Sequence, residues 1–147
     1  MPEGALKVER DFQAEDDAKE FIGAKWKCEV QEMGNFGDID WMLYRDNRIV
    51  AVAEFKRLYR ESGEWPNVYF NLKKWLPLMF VGIGLKVPAY FIVQFNDRIC
   101  YVDVQTVDAT KHEVNGRKDR GRGSDLQPAI LVPVEIMKGF NNEEERR

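Results

Sequence analysis

Three charged residues in the first half of the chain, Asp40, Glu54 and Lys56, have side chains that suit phosphoryl chemistry. Carboxylate oxygens are the ligands that hard cations such as Mg²⁺ and Mn²⁺ prefer in proteins. Such a cation polarises a phosphoryl oxygen and lowers the pKa of a bound water, while a nearby lysine offsets charge that develops on the phosphate. In a strand, Glu54 and Lys56 would point to the same side about 7 Å apart, with the main-chain carbonyl of Phe55 between them as a further ligand.

Whether Asp40 joins Glu54 depends on the turn between the two predicted strands that carry them. A two-residue turn at Asp46-Asn47 would place Asp40 opposite Ala53, so that the aspartate faces away from Glu54. A three-residue loop, 46–48, would place Asp40 opposite Glu54. Because Asp-Asn lacks the glycine that two-residue turns prefer, we expect the three-residue loop and converging carboxylates.

The segments around this hairpin alternate between helical and strand patterns, as expected for a domain that packs helices against a sheet. The predicted helices span residues 11–26 and 68–85, and the predicted strands span 27–33, 38–45, 48–57, 88–95, 98–104 and 128–136. Pro77 either lies in the first turn of a helix that begins near Trp75 or kinks a longer helix. We therefore predict one α/β domain over residues 1–147, with a central mixed sheet flanked by helices, a polar segment at 105–127 and a flexible tail at 141–147.

Composition limits the other kinds of site that the chain can build. Its 147 residues are 44% hydrophobic and 32% charged, which suits one globular domain, and its net charge of -3 means that nucleic-acid binding needs a local basic surface. His112 is the single histidine, so the chain has few residues from which to build a Ser-His or Cys-His pair or a metal site of several histidines. Cys28 and Cys100 are expected to be reduced core thiols. The charged opening segment and the lack of a membrane-length apolar run predict a cytoplasmic protein with no membrane partner.

The spacing from Asp40 to Glu54-x-Lys56, on a hairpin that follows a helix and a strand, resembles the PD-(D/E)xK nuclease superfamily, which has the restriction-endonuclease-like fold. The resemblance covers about residues 12–104 and implies an αβββαβ core. It implies an endonuclease that cleaves DNA and depends on Mg²⁺ or Mn²⁺. Asp40, Glu54 and Lys56 would be its catalytic residues, and Asp40, Glu54 and the main-chain carbonyl of Phe55 would hold the metal.

Two features of the family pattern leave a choice of residues. The proline that usually precedes the family aspartate is missing, since Gly37-Asp38 and Ile39-Asp40 stand in its place. Asp38 is therefore the second choice for the aspartate that binds the metal. The family often adds an acidic ligand from the first helix, for which the candidates are Glu15, Asp17 and Glu20.

Within the superfamily, the compact chain resembles the small Holliday-junction resolvases of phages and archaea. This resemblance implies a phage-encoded enzyme that acts in the host cytoplasm, with branched or single-stranded DNA among its candidate substrates. The residues themselves do not separate a branched junction, a nick, single-stranded DNA and RNA. Because junction resolution needs two cuts, it also implies a homodimer.

Two basic regions are predicted to contact DNA phosphates. Lys73 and Lys74 begin the second helix and would lie near the metal-binding strand ends if the family fold holds. The polar segment carries further cations among three glycines, which let a backbone approach a phosphate closely. These cations are Arg117, Lys118, Arg120 and Arg122.

Two other interpretations of the same residues compete with the enzyme. One is a catalytically inactive module on the same fold that binds nucleic acid or protein. The other is an ordinary α/β domain in which Glu54 and Lys56 form a solvated strand end with a structural salt bridge. The complete set of Asp40, Glu54 and Lys56 favours the enzyme, because an inactive site has no chemical reason to keep all three.

Overall fold

A mixed sheet of six strands lies at the centre of the computed structural model, which describes residues 2–33, 39–115 and 127–140. The helices are α1 (Pro2–Trp26) and α2 (Leu72–Leu85). The strands are β1 (Glu29–Glu32), β2 (Trp41–Arg45), β3 (Arg48–Arg57), β4 (Asn67–Asn71), β5 (Ala89–Gln94), β6 (Ile99–Asp103), β7 (His112–Asn115), β8 (Gln127–Pro133) and β9 (Lys138–Gly139). In this described part of the chain, no helix combines the length and the apolar character needed to cross a membrane.

The central sheet has the strand order β1-β2-β3-β5-β6-β9. β3 and β5 are parallel, whereas the other neighbouring strands of this sheet are antiparallel. The parallel pair needs a crossover connection, which β4 and α2 supply. The strands β4, β8 and β7 form a separate antiparallel sheet, which we call the second sheet. The predicted α/β class with a mixed sheet between helices is therefore confirmed.

The two faces of the central sheet bury separate cores. The face toward α1 buries Trp41, Leu43 and Ile92 of the sheet against Ala18 and Ile22 of the helix. These helix positions are four residues apart, so they lie on one side of α1.

The opposite face of the central sheet packs against α2 and the inner side of the second sheet. Val52 and Phe91 of the central sheet meet Trp75 of α2 in this core. Gly82 allows the helix to approach the sheet, because a Cβ atom at this position would lie 2.8 Å from the Cβ of Ala89. Residues of β3 therefore have a packed helix and a second sheet above them.

The prediction of a helix over 68–85 was wrong in its first four residues, which belong to β4. Val68 and Phe70 are buried, whereas Tyr69 between them is 37% exposed. This alternation is that of a strand with one buried face, and β4 pairs along its whole length with β8. Pro77 lies inside α2.

Three other boundaries differ from the predictions. α1 begins at Pro2, well before the predicted start at residue 11. The last predicted strand ends at Pro133, and a 3₁₀ turn occupies Val134–Ile136. The polar segment contains β7, which joins the second sheet. Residues 141–147, predicted as a tail, lie outside the described residues.

The hairpin between β2 and β3 turns on two residues, Asp46-Asn47, so the predicted three-residue loop was wrong. Their φ angles are 53° and 61°, which is the left-handed conformation that two-residue hairpin turns require. Asp and Asn tolerate this conformation better than other residues with a Cβ atom, so no glycine was needed. The register then shifts by one residue, because Leu43 pairs with Ala51 instead of Val50. Because of this bulge, β2 residues before Tyr44 pair one position further along β3 than they would in a hairpin without a bulge. This shift of one residue changes which β3 side chains lie on the same face of the sheet as theirs.

Candidate active site

Asp40 and Glu54 lie side by side where β2 begins. Trp41 pairs with Ala53, so the preceding position in β2 falls beside Glu54. Asp40 Oδ2 accepts a hydrogen bond from the main-chain N–H of Phe55, with an N···O distance of 2.9 Å. The bulge in β3, and not a longer loop, brings the two carboxyl groups to the same side of the sheet.

Burial and negative charge both act on the Glu54 carboxyl group. Burial, followed by the charge of Asp40 and a hydrogen bond with the Asp40 carboxyl group, raises the pKa of Glu54 from 4.5 to about 8. Lys74 opposes this rise in pKa, and Glu15 adds to it. The Oε1 atom of Glu54 is buried and has no hydrogen-bond partner among the described residues. Two carboxyl groups that share a site in this way retain either a proton or a bound cation.

Lys56 extends from β3 toward the second sheet. Its Nζ donates a hydrogen bond to the main-chain carbonyl of Tyr69, at 3.1 Å. Burial lowers the pKa of Lys56, the charge of Arg60 lowers it further, and the charge of Glu54 opposes the change. Because Tyr69 lies in β4, an edge strand, the lysine also ties the second sheet to the central sheet.

A pocket of about 200 Å³ opens beside these groups. Phe70 and Phe91 are buried, and their ring centroids are 4.1 Å apart, so they form its floor. Residues of β3, β4, β5 and α2 line it, namely Glu54, Phe55, Lys56, Tyr69, Phe70, Asn71, Lys74 and Phe91.

The start of α2 gives this pocket a positive side. Asn71 caps the helix, since its Oδ1 accepts a hydrogen bond from the N–H of Lys73 at 2.8 Å. The N-terminal end of a helix carries a partial positive charge, and Lys74 adds a full charge at the pocket lining. A phosphate group at this pocket would therefore meet the carboxyl group of Glu54 together with the positive groups of Lys56 and Lys74.

Of the three acids that α1 could contribute, Glu15 lies closest to the site. Its Oε2 accepts a hydrogen bond from the indole Nε1 of Trp41 at 2.8 Å. Burial raises the pKa of Glu15, the hydrogen bond from Trp41 opposes that rise, and the charge of Asp40 adds to it. Glu20 is exposed, and Asp17 is exposed and accepts a hydrogen bond from Gln13.

The donor atoms here fit a hard divalent cation with few protein ligands. In a strand, the N–H and C=O of one residue point toward the same neighbouring strand. Because the N–H of Phe55 contacts Asp40, the carbonyl of Phe55 is also directed toward β2, where Asp40 lies. The Oε1 of Glu54 has no partner among the described residues and is a further donor. In the described ranges, no group of three or more His, Cys, Asp or Glu side chains could hold a metal ion. Mg²⁺ commonly uses one or two carboxylates and completes its shell with waters and substrate phosphates, which suits this set.

The remaining predicted residues fall into two groups. Lys73 is exposed in the first turn of α2 and does not line the pocket. The others lie outside the described residues; they are Asp38, Arg117, Lys118, Arg120 and Arg122.

The described ends of the basic segment can nevertheless be placed. β7 and β8 pair Asn115 with Gln127, which are the last described residues before and after it. In the same sheet Asn71 pairs with Ala129. The basic segment therefore leaves the second sheet at the end where β4 finishes and α2 begins.

Sequence reasoning did not assign Asn71, Arg60 or the carbonyl of Tyr69 to the site. The signal was present in the sequence NVYFN, residues 67–71, in which polar and apolar residues alternate. Once that segment was interpreted as helical, the residues that face Lys56 could not be identified.

The fold and the site together define a class of protein. A mixed sheet with a helix on each face, and an Asp and a Glu-x-Lys that meet across its hairpin, are features of the restriction-endonuclease-like nucleases. A family model described as "Phage putative PDDEXK endonuclease" matches residues 6–140. The chain therefore belongs to this family of phage PD-(D/E)xK endonucleases.

A solved structure shares the fold. The chain is similar to Hjc, a Holliday junction resolvase from the archaeal hyperthermophile Archaeoglobus fulgidus, with a TM-score of 0.56 and 12% sequence identity. The match covers 88% of this chain and 93% of that chain. No curated protein sequence matches the chain.

Proposed function

We propose that the protein is a metal-dependent DNA endonuclease that hydrolyses phosphodiester bonds, with Asp40, Glu54 and Lys56 as its catalytic residues. The observation that carries this proposal is the meeting of the Asp40 and Glu54 carboxyl groups beside a pocket that Glu54 and Lys56 line. Membership of an endonuclease family supports hydrolysis of a nucleic-acid backbone as the reaction.

Mg²⁺ or Mn²⁺ is the proposed cofactor, held by the side chains of Asp40 and Glu54 and by the main-chain carbonyl of Phe55. When bound, such an ion polarises a phosphate oxygen and lowers the pKa of a water in its shell. Glu15 contributes from outside this set, because its negative charge interacts with both Asp40 and Glu54 and so increases the attraction for a cation. Asp38 stays the second choice as an aspartate ligand.

Positive groups of the chain hold the phosphate that is cleaved. Lys56 lies on the same side of β3 as Glu54 and offsets negative charge that develops on the phosphate. Lys74 and the N-terminal end of α2 face the same pocket and orient the phosphate oxygens. In the reaction the oxygen of water bonds to phosphorus, the bond from phosphorus to one sugar oxygen breaks, and that oxygen leaves with a proton.

The basic segment extends the contact with DNA beyond the pocket. Its ends leave the second sheet at the end where α2 begins, and Lys73 and Lys74 lie in the first turn of that helix. We assign phosphate contacts to both lysines and to the cations of the segment, which are Arg117, Lys118, Arg120 and Arg122. Phosphate contacts of this kind position DNA without selecting its sequence.

A homodimer that acts on branched DNA is the form of this function that we propose. The fold likeness to a Holliday junction resolvase supports branched DNA as a substrate, and resolution of a junction needs two cuts. An apolar face of α2 supports self-association: Leu76, Phe80 and Ile83 are 45%, 71% and 56% exposed and lie on one side of the helix. A surface of this type can pair with its own copy about a two-fold axis. As a member of a phage family, the enzyme is proposed to act in the host cytoplasm.

The test is cleavage of a panel of labelled nucleic acids with Mg²⁺ or Mn²⁺. The panel holds linear duplex, nicked, flapped, single-stranded and four-way DNA, together with an RNA duplex. The controls are a chelator and the Glu54→Ala variant purified in the same way. We expect cleavage of DNA, strongest on the branched forms, that needs the metal and disappears in the variant.

Binding without cleavage would instead support the inactive module that binds nucleic acid. The observation that favours this alternative is the lack, among the described residues, of a group of three acidic, His or Cys side chains that could hold a metal. Calorimetric titration of the protein with Mn²⁺, in the presence and absence of DNA, distinguishes the metal-dependent enzyme from the inactive module. The enzyme should bind the ion more tightly when DNA supplies phosphate ligands.

A further inference from the structure

We propose that Tyr69 contacts the sugar and base of the nucleotide next to the cleaved phosphate. This inference rests on the proposed nuclease function and adds a substrate-binding residue outside the Asp…Glu-x-Lys group. It assigns to the second sheet a role in holding the substrate.

The position of Tyr69 in β4 fixes where its ring can lie. Val68 and Phe70 are buried in the core, so the side chain of Tyr69 points to the outer face of the second sheet. Its main-chain carbonyl is held by the Nζ of Lys56 at 3.1 Å. The residue that carries this ring therefore also accepts, through its main-chain carbonyl, the hydrogen bond from Lys56.

The size of the pocket places the nucleoside outside it. Pockets that enclose a whole small ligand hold about 300–1,000 Å³. This pocket holds about 200 Å³ and has buried phenylalanine rings as its floor. The space suits a phosphodiester group with its waters, so the attached sugar and base must lie on the rim. Of the residues that line the pocket, Tyr69 is the aromatic one with substantial exposure, at 37%.

The chemistry of a tyrosine ring suits this position in an enzyme that does not select sequence. Every base and every sugar has a face that can pack on an aromatic ring, so such a contact tolerates any nucleotide. Lys74, which also lines the pocket, is suited to the charged backbone. Together they would hold a strand at the pocket, with the ring against the nucleoside and the cation against the backbone.

The experiment measures binding of the best-cleaved DNA from the substrate panel by fluorescence anisotropy, with Ca²⁺ in place of Mg²⁺. The variants are Tyr69→Leu and Tyr69→Phe, and Tyr59→Leu is the matched control. Tyr59 is 39% exposed, stacks on Arg57 and does not line the pocket. We expect Tyr69→Leu to weaken binding about 10-fold, the range found for loss of one aromatic contact to a base being about 5-fold to 150-fold. Tyr69→Phe and the control should bind like the wild type.

A second measurement uses the wild-type chain and so does not depend on how the variants fold. Removing the base from single nucleotides on either side of the cleaved phosphate should weaken wild-type binding at one of these positions by about the same 10-fold factor. At that position Tyr69→Leu should lose nothing more, because the ring and the base are the two halves of one contact.

The outcomes separate this inference from the function on which it rests. If the wild type cleaves and binds DNA while Tyr69→Leu binds equally well, the role of Tyr69 is wrong and the nuclease proposal stands. If the loss of binding caused by Tyr69→Leu and the loss caused by the missing base add in full, the contact between the ring and the base is also excluded. If the wild type neither binds nor cleaves any member of the panel, both proposals fall.

Discussion

At the scale of single residues, the candidate site depends on two carboxyl groups held in a partly buried space. Asp40 is fixed by the N–H of Phe55, and Glu54 has a pKa raised to about 8 by burial first and by Asp40 second. Without a cation, such a pair keeps a proton to limit repulsion. A divalent cation removes the need for that proton, which links metal binding to proton release from the protein.

The first prediction separates chemistry from binding. Glu54→Ala and Asp40→Asn should abolish cleavage and keep most of the DNA affinity, because the phosphate-binding residues lie elsewhere and one negative charge is lost. Lys56→Ala should slow cleavage on the order of 10²-fold, as loss of one positioned electrostatic group does. Single-turnover cleavage and Ca²⁺-supported binding are measured for each variant. Glu20→Gln, an exposed acid of α1, is the control, and cleavage that survives in Glu54→Ala would exclude this site.

The second prediction concerns the acid that α1 contributes. Glu15→Gln keeps a side-chain oxygen that can accept from Trp41 but removes a charge that interacts with Asp40 and Glu54. We expect the Mg²⁺ concentration that gives half-maximal cleavage to rise several-fold, with little change in rate at saturating Mg²⁺. Glu20→Gln should leave the metal dependence unchanged. Equal metal dependence in both variants would show that Glu15 is only a structural partner of Trp41.

Much of the candidate site was open to prediction at this scale, because it depends on spacing along two strands. Glu54 and Lys56 share a side in any strand, whatever else the fold does. Tyr69 and Asn71 could not be assigned, because their position depends on β4, which pairs with β8, a strand distant in the sequence. The choice among the acids of α1 needed the rotation of the helix, which Ala18 and Ile22 set by packing on the sheet.

At the scale of elements, the hairpin that joins β2 and β3 controls the site through its turn and its bulge. Asp40 lies on the side of the sheet that was predicted, although the predicted loop was wrong. A two-residue turn and one extra residue in β3 together give the same register as a three-residue loop with none. The preference of tight turns for glycine did not predict the two-residue turn, because Asp46 and Asn47 adopt the left-handed angles without a glycine.

The third prediction tests this turn. Asn47 has a φ of 61°, so Asn47→Gly should leave the free energy of unfolding unchanged or increase it. Asn47→Ala should lower that free energy by about 1 kcal/mol, since a left-handed angle disfavours a Cβ side chain that cannot bond locally. Urea unfolding measures both changes. Arg48→Ala, an exposed neighbour in β3, is the control, and an equal loss in all three variants would contradict the turn assignment.

The fourth prediction concerns the basic segment between β7 and β8. Each cation that neutralises a phosphate adds about 0.9 to the slope of log affinity against log salt on duplex DNA. Replacing Arg117, Arg120 and Arg122 with Ala should therefore flatten the slope by about 2 to 3 and weaken binding to all sequences alike. The measurement is a salt titration of binding in Ca²⁺. Lys138→Ala, on the edge strand β9, should leave the slope as it is, and an unchanged slope in the triple variant would remove the segment from the DNA contact.

At the scale of the whole molecule, α2 connects the pocket to a surface that could join two copies. Its first turn carries Lys73 and Lys74, and between Lys74 and Lys86 it has no charged residue. Its apolar residues therefore face solvent as well as the core. Monomeric proteins rarely leave such a continuous apolar surface uncovered.

The fifth prediction is that the protein is a dimer that pairs through this face. Phe80→Lys should give monomers, because it would place two like charges in an apolar contact about a two-fold axis. Sedimentation velocity over a range of concentrations measures the change. Ile136→Lys is the matched control, since Ile136 is 42% exposed on the 3₁₀ turn after β8. A wild-type protein that stays monomeric at tens of micromolar would contradict the pairing.

The pairing of β4 with β8 has a consequence for the synthesis of the chain. The carbonyl that holds Lys56 belongs to Tyr69, and Tyr69 is aligned opposite Leu131. A ribosome must therefore translate through residue 133 before the strand beside Lys56 has its partner. A nascent chain, or one cut short before β8, would contain Asp40, Glu54 and Lys56 but would lack the partner of β4, the strand whose Tyr69 carbonyl holds the lysine. Under the proposed function, the site would be complete only once β8 has been synthesised, which limits damage to nucleic acid from chains cut short before that strand.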